Sequence, residues 1–392
     1  MRRNVGATTA AHLAGISHTS TTAPVAGTEV NIDQNTVRNL KINSDSSLVI
    51  VNGISFTGST TTGFNYLIQR NNIYDIGDLT LTATDTAKVT YNGIGLFGGL
   101  ATVQNNMISL GDGNTKSQIY QGILKANANI NRVYHNSVYI GGTASTASGV
   151  VSGSTWAFRR TSRPTSGNDE IINNIFYNAR TTAIGGAFEY ATGLDTNINV
   201  TASKNILFAD FANGGRTGIR NTTIATSMTD WRTLTGQDLN SISENPNYIA
   251  PAAGTPDLHL QVPPATVPAE QAGQLIASVV NDFDGDVRAA FTPNDIGADA
   301  GNFLPSGDYI DPVISNIILT PAPVGVPVAH DVLADASDCS GFTTVTLNWS
   351  LNGVAQIGIP MTLVSGNNWE DNYLQVVVHS IAFTITAIDG PV

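Results

Sequence analysis

Short apolar runs, rich in Val, Ile, Tyr and Phe and bounded by Gly, Asn, Ser and Thr, recur along the first two thirds of the chain. Six share one template of an apolar residue, two variable residues, Asn, one variable residue and a second apolar residue: IDQNTV, IQRNNI, VQNNMI, VYHNSV, IINNIF and ASKNIL. Their asparagines are Asn35, Asn71, Asn106, Asn136, Asn174 and Asn205, spaced 30 to 38 residues apart. A looser family of strands, VNGISF, YNGIGLF, YQGILK and IGGAFEY, falls between them. Runs this brief and β-branched predict strands rather than helices. Equal successive units without tight hairpin signals predict a solenoid, in which each strand pairs in parallel with its equivalent one turn on. The expected form is a right-handed parallel β-helix. Asn suits it in two ways: it tolerates the left-handed backbone of a sharp bend, and amides stacked at roughly 4.8 Å can bond to one another as a ladder.

Downstream the pattern changes. SMTDWRTLTG predicts a short helix capped by Ser227 or Thr229, with Asp230 in its first turn. The β-helix is expected over residues 1–302, with repeats clearest at 30–215 and a closing segment at 227–302. Residues 303–310, with Pro, Gly and Ser, read as a linker. Over 311–392, runs such as FTTVTLNWSLNG and IAFTITAIDG alternate apolar and polar residues and predict a small β-sandwich, truncated at its last strand, with Trp349 as its core aromatic. The fold class is therefore all-β.

The asparagine repeats together with VYHNSVYIGG, DLHLQ, DFDGDVR and DIGADA resemble the right-handed β-helix domains of the pectate-lyase-like superfamily. More narrowly, they are similar to the closing segments of such domains in large secreted or surface-displayed bacterial proteins. The last part of the chain resembles an immunoglobulin-like module. The resemblance implies an extracellular or bacterial cell-surface location. It also implies a role among lyases, hydrolases, adhesins or proteins without chemistry, since one fold hosts them all.

Composition narrows the partners. Charged residues make up 12% of the chain and the net charge is −12, which repels phosphate backbones and excludes nucleic acid. No apolar run approaches the roughly 18 residues needed to span a bilayer, and MRRNVGATTAAHLAG has no signal-peptide core behind its arginines. Patterned sequence at both ends suggests a fragment of something longer. Cys339 is the single cysteine and forms no internal disulfide.

Candidate chemistry is sparse. Glycoside hydrolysis needs paired carboxylates across the bond, but Asp33, Asp75, Asp78, Asp85 and Glu189 do not recur at one register and read as surface acids. The NTD, double-Asp and GHG motifs of polygalacturonase-type relatives are missing. A lyase needs a base and a positive group beside a uronate. The FRRTSRP cluster offers Arg159, Arg160 and Arg163 with Trp156 and Phe158, expected in a polar loop, as a binding groove for an acidic sugar. SRPTSG lacks the second arginine of the pectate lyase signature, so no catalytic residue is assigned. His135 reads as a structural or surface residue and as variable decoration beside Asn136. His12, His18, His259, His330 and His379 are scattered, so no metal ligand set is assigned. NDFDGDVR alternates Asp282, Asp284 and Asp286; a structural turn is favoured, with Arg288 paired to an acid, and calcium is the one cofactor left open. The leading expectation is a non-catalytic extracellular or cell-surface protein that binds polysaccharide or glycan, or serves adhesion or structure. The alternatives are a polysaccharide lyase on acidic sugars, and a repeat that self-associates end to end.

Overall fold

The computed structural model describes residues 11–307 except 21, 23–27, 43–48, 61–65, 79–88, 117, 145–152, 183–187, 253 and 292, and, in pieces, 313–389. Asp85, Cys339 and His379 lie outside the described residues. The chain divides into two compact units, Met1–Ser306 and Gly307–Val392.

In the first unit the chain runs repeatedly through three parallel sheets. Sheet one stacks Ala11–Thr19, Val49–Thr57, Thr90–Gly98, Ile119–Lys125, Thr155–Arg160, Glu189–Leu194 and Gly215–Arg220, all in parallel. Sheet two contains Val30–Asp33, Tyr66–Gln69, Ala101–Gln104, Asn131–Tyr134, Asp169–Ile172 and Val200–Ser203. Sheet three contains Thr36–Val37, Asn72–Tyr74, Met107–Leu110, Ser137–Ile140, Ile175–Asn178 and Ile206–Ala209. This is a parallel β-helix. The template explains itself in register: its first apolar position builds the buried column Ile68, Val103, Val133, Ile171, and its last builds Ile73, Ile108, Val138, Phe176, Leu207. The glycines of the looser strand family allow sheet one to approach sheet three. A Cβ on Gly122 would lie 2.3 Å from Val138 and 2.4 Å from a backbone oxygen of Ala157.

The asparagines form the expected ladder at the corner between sheets two and three. Nδ2 of Asn35, Asn71, Asn106 and Asn136 each donates to Oδ1 of the next asparagine at 2.9 Å, and Asn174 donates to Asn205 at 3.1 Å. The backbone N–H of each donates to the same oxygen, at 3.1 Å for Asn106 and 3.0 Å for Asn136. The bend itself is one residue earlier than expected. Gln34, Arg70, Asn105, His135, Asn173 and Lys204 have positive φ, between 50° and 59°. The left-handed residue turns its side chain outward and sends the next one inward. The interior position therefore requires an amide that satisfies its neighbours without water, while the left-handed position accepts varied residues at about 1–2 kcal/mol each.

The ladder ends against the closing segment. Asn205 donates from Nδ2 to Asp238 Oδ1 at 2.9 Å and from its backbone to Ser241 Oγ at 2.8 Å. Trp231 Nε1 donates to Asp238 Oδ2 at 2.8 Å from a short helix, α1, Met228–Thr235, capped by Ser227 and terminated at left-handed Gly236. Thr223–Ala225 adds an antiparallel strand over the last turn of sheet one. The chain then returns across the corner. Asn173 exchanges hydrogen bonds with Gln274, Asn105 donates to the Asn281 carbonyl at 2.6 Å, and the Ala298 N–H donates to Ser137 Oγ at 3.0 Å. Leu304–Pro305, inside the stretch read as a linker, pairs in parallel with Thr266–Val267.

The second unit is antiparallel throughout its described strands, in two sheets built on Val328–Ser337 and on Phe342–Leu351. Val332, Ala334, Ala336, Val345, Leu347 and Met361 form its core, with Trp349 packed against it half-buried.

Candidate functional site

On the outer face of sheet one, the position held by Asn52, Asn92 and Gln121 in the early turns becomes Trp156, Tyr190 and Arg216 in the later ones. Parallel register places equivalent residues directly beside one another. Trp156 and Tyr190 stack with centroids 5.6 Å apart and planes 17° from parallel, and the Arg159 guanidinium lies 4.0 Å above the Trp156 ring. Gly193 lies against the indole edge, where a Cβ would come within 2.8 Å of Cδ1. A groove of about 290 Å³ results, lined by Trp156, Arg159, Gly193, Asp195, Ile219 and Asn221, with buried Arg160 at its floor. Trp156 Nε1 is buried there without a hydrogen-bond partner. Burial lowers the Arg159 pKa. Arg216 extends the face, 4.4 Å over Phe188 and 4.5 Å over the exposed Phe211.

The arginine cluster is divided. Trp156, Arg159 and Arg160 lie on the strand Thr155–Arg160, not in a loop, because the run TWAFRR is held in register on both sides. Strand alternation then sends Arg159 outward and Arg160 into the corner. Arg160 is buried, with Nε 2.8 Å from Asp195 and Nη1 3.4 Å from Asp169. Arg163 is exposed in the following loop, and Phe158 stacks on Phe176 in the core. Sequence reasoning missed Tyr190, Phe188, Arg216 and Phe211; the available signal was that Tyr190 in IGGAFEY falls one repeat after Trp156.

Two of the acids, Asp78 and Glu189, are buried rather than surface groups, while Asp33 and Asp75 are partly exposed and ion-paired. Asp78 is buried in an ion pair with Lys116 at 3.3 Å, and Asp33 accepts from Arg70 Nε at 2.9 Å. Asp75 pairs with Lys41. Glu189 is fully buried; it accepts from the Thr155 hydroxyl, and its Oε1 has no hydrogen-bond partner. Burial pushes its carboxyl up to about 7 from an ordinary 4.5. Between those values the folded chain retains a proton that the unfolded chain has released. Stability from this group is therefore complete below about pH 4.5 and lost as pH rises through about 7. We expect wild type to lose about 3 kcal/mol relative to Glu189→Gln between pH 4.5 and 8, measured by urea unfolding at each pH. A constant difference across that range would exclude a proton on Glu189.

His135 is neither exposed nor incidental. It occupies the left-handed corner position beneath the returning segment, with Nε2 2.9 Å from Asn173 Nδ2. Burial and Arg288 hold its pKa well below the ordinary value. Asp282 makes the expected turn: Oδ1 accepts the backbone N–H of Asp284, Gly285 and Asp286 at 2.8–3.0 Å. Among the described residues Arg288 bonds to no acid. Its Nη2 donates to Asn105 Oδ1 and to the carbonyls of Gly297 and Ala298, and it passes under the segment rather than along its surface. Folding also gathers what sequence scatters: His259 Nε2 lies 2.8 Å from Asp284 Oδ2, with Asp299 nearby. Among the described residues no helix is long and apolar enough to cross a membrane. No family model, no curated protein and no solved structure matches this chain.

Proposed function

We propose that this is a secreted or cell-surface, right-handed β-helix protein of the pectate-lyase-like type with an immunoglobulin-like module, and that it binds polysaccharide without turning it over. The observation that carries this reading is the Trp156–Tyr190 stack, with Arg159 over the indole beside an open groove. Trp156, half-buried at the groove and backed by the buried Tyr190, suits the apolar face of a sugar ring, and a neighbouring guanidinium suits a uronate carboxylate. The cation–π contact keeps Arg159 at the groove, where its guanidinium donors can meet a carboxylate. A glycan array should give binding to acidic polysaccharides, with affinity lowered at least 10-fold in Trp156→Ala and unchanged in Arg163→Ala. Equal binding by wild type and Trp156→Ala would reject this face.

One observation favours a lyase as the second reading: Asp195 shares the groove with Arg159 and Trp156. Appearance of unsaturated products in an absorbance assay on the bound polysaccharide would decide for it. End-to-end assembly is supported less, because α1 and Thr223–Ala225 cover one end of the solenoid.

A further inference from the structure

We propose that His259, Asp284 and Asp299 bind one divalent transition-metal ion of the zinc class, which pins three parts of the closing segment together. His259 lies on the strand Asp257–Leu260, which pairs with Tyr248–Ala250; Asp284 lies in the Asp282 turn, and Asp299 follows it. One donor atom from each of the three lies within 4.8 Å of the others, and Nε2 of His259 is 2.8 Å from Asp284 Oδ2. Ligands about 2.0 Å from a tetrahedral zinc stand roughly 3.3 Å apart, so small movements complete the set. Asp284 is half-exposed and free to make them.

The surroundings orient the donors. Nδ1 of His259 is 2.5 Å from Asp257 Oδ1, the oxygen that also accepts the His259 backbone N–H at 3.0 Å. Asp257 holds Nδ1–H, so Nε2, which donates to Asp284 Oδ2 while no cation is bound, is the nitrogen that gives up its proton to a metal, the outer-shell arrangement of histidine metal ligands. Asp299 is held in place by the Leu260 N–H, 2.8 Å from its Oδ2. Charge points the same way. Asp257, Asp284 and Asp299 converge on one imidazole. A lone imidazolium would leave two negative charges in excess; a dication on a neutral ring leaves one. The neighbouring Arg288 is bonded to Asn105 and two carbonyls instead. An imidazole nitrogen with two carboxylates selects zinc-class ions over calcium, which takes oxygen ligands alone. Asp282 Oδ1 is occupied by backbone donors, so of the alternating aspartates this set uses Asp284 alone.

The test is zinc titration of the chelator-stripped full chain, by calorimetry and thermal unfolding, with cobalt as a spectroscopic substitute. One ion per chain is expected, with a rise in Tm on the order of 5 °C at saturation and visible cobalt absorption. Asp284→Asn, at a half-exposed position where folding is undisturbed, and His259→Asn should each weaken zinc binding at least 10-fold. Asp286→Asn should leave it unchanged, and calcium should give no comparable shift. Absence of stoichiometric zinc, zinc binding undiminished in Asp284→Asn, or tighter binding of calcium than zinc would overturn the proposal.

Discussion

Replacing Asn136 by Ala is expected to destabilise the β-helix by about 4–5 kcal/mol, as large as single substitutions commonly give. Its carboxamide oxygen accepts from the Asn106 backbone at 3.1 Å and from Asn106 Nδ2 at 2.9 Å. Its nitrogen donates to Asn174 Oδ1 at 2.9 Å, to the Val103 carbonyl at 2.9 Å and to the Tyr134 carbonyl at 3.0 Å. Asn106, Asn136 and Asn174 are all fully buried, so water cannot take over. Each group left unsatisfied costs about 1–3 kcal/mol, and several are left at once. Asn136→Asp should be no milder, because it removes the donors and sets a second acceptor against Asn174 Oδ1. At the end of the ladder, Asn35 is only half-buried and has one neighbouring rung, so Asn35→Ala should cost about 1 kcal/mol. Urea midpoints followed by circular dichroism measure the gradient. Equal losses at Asn35 and Asn136 would remove the ladder as its cause.

What the sequence made legible was the part fixed by repetition. Two apolar columns and an interior amide recur at one offset, so the template in VYHNSV already describes a corner of the solenoid, and Ser227 and Asp230 mark α1 by local capping chemistry. The left-handed residue was misplaced by one position because its side chain points outward and leaves no compositional trace: Gln, Arg, Asn, His and Lys all serve. The return of residues 245–302 across the corner was not legible, since its bonds join Asn105 to Asn281 and Asn173 to Gln274, partners without pattern. That return buries His135 and brings His259 to Asp284. The aromatic face of sheet one was half legible. Trp156 and Arg159 were visible as residue types, whereas Tyr190 and Arg216 become neighbours only once parallel register is known.

Adjacent arginines on one strand should therefore answer to different experiments. Arg160→Ala is expected to lower stability by about 4 kcal/mol, in the range for removing one partner of a buried charged network, and to lower Tm by roughly 10 °C. Its guanidinium meets Asp195 at 2.8 Å and Asp169 at 3.4 Å, and donates to the carbonyls of Thr196, Ile198 and Asn199. Without it those loop carbonyls lose their donors. Asp169, whose pKa burial already raises, retains among the described residues Lys125 at 3.1 Å and the Asn131 N–H at 2.8 Å. Arg159→Ala should show the opposite pattern. Its side chain rests on Trp156 at the groove, so unfolding should shift little while affinity for an acidic polysaccharide falls. Thermal unfolding and glycan affinity measured on both variants give a crossed result if one arginine holds the corner and the other the ligand. A stable Arg160→Ala with weakened binding would instead make Arg160, which also borders the groove, a recognition residue and remove the division of the cluster. The crossed result would mean that strand alternation, which separates residues 159 and 160 by half a period, turns one basic pair into a structural and a recognition residue.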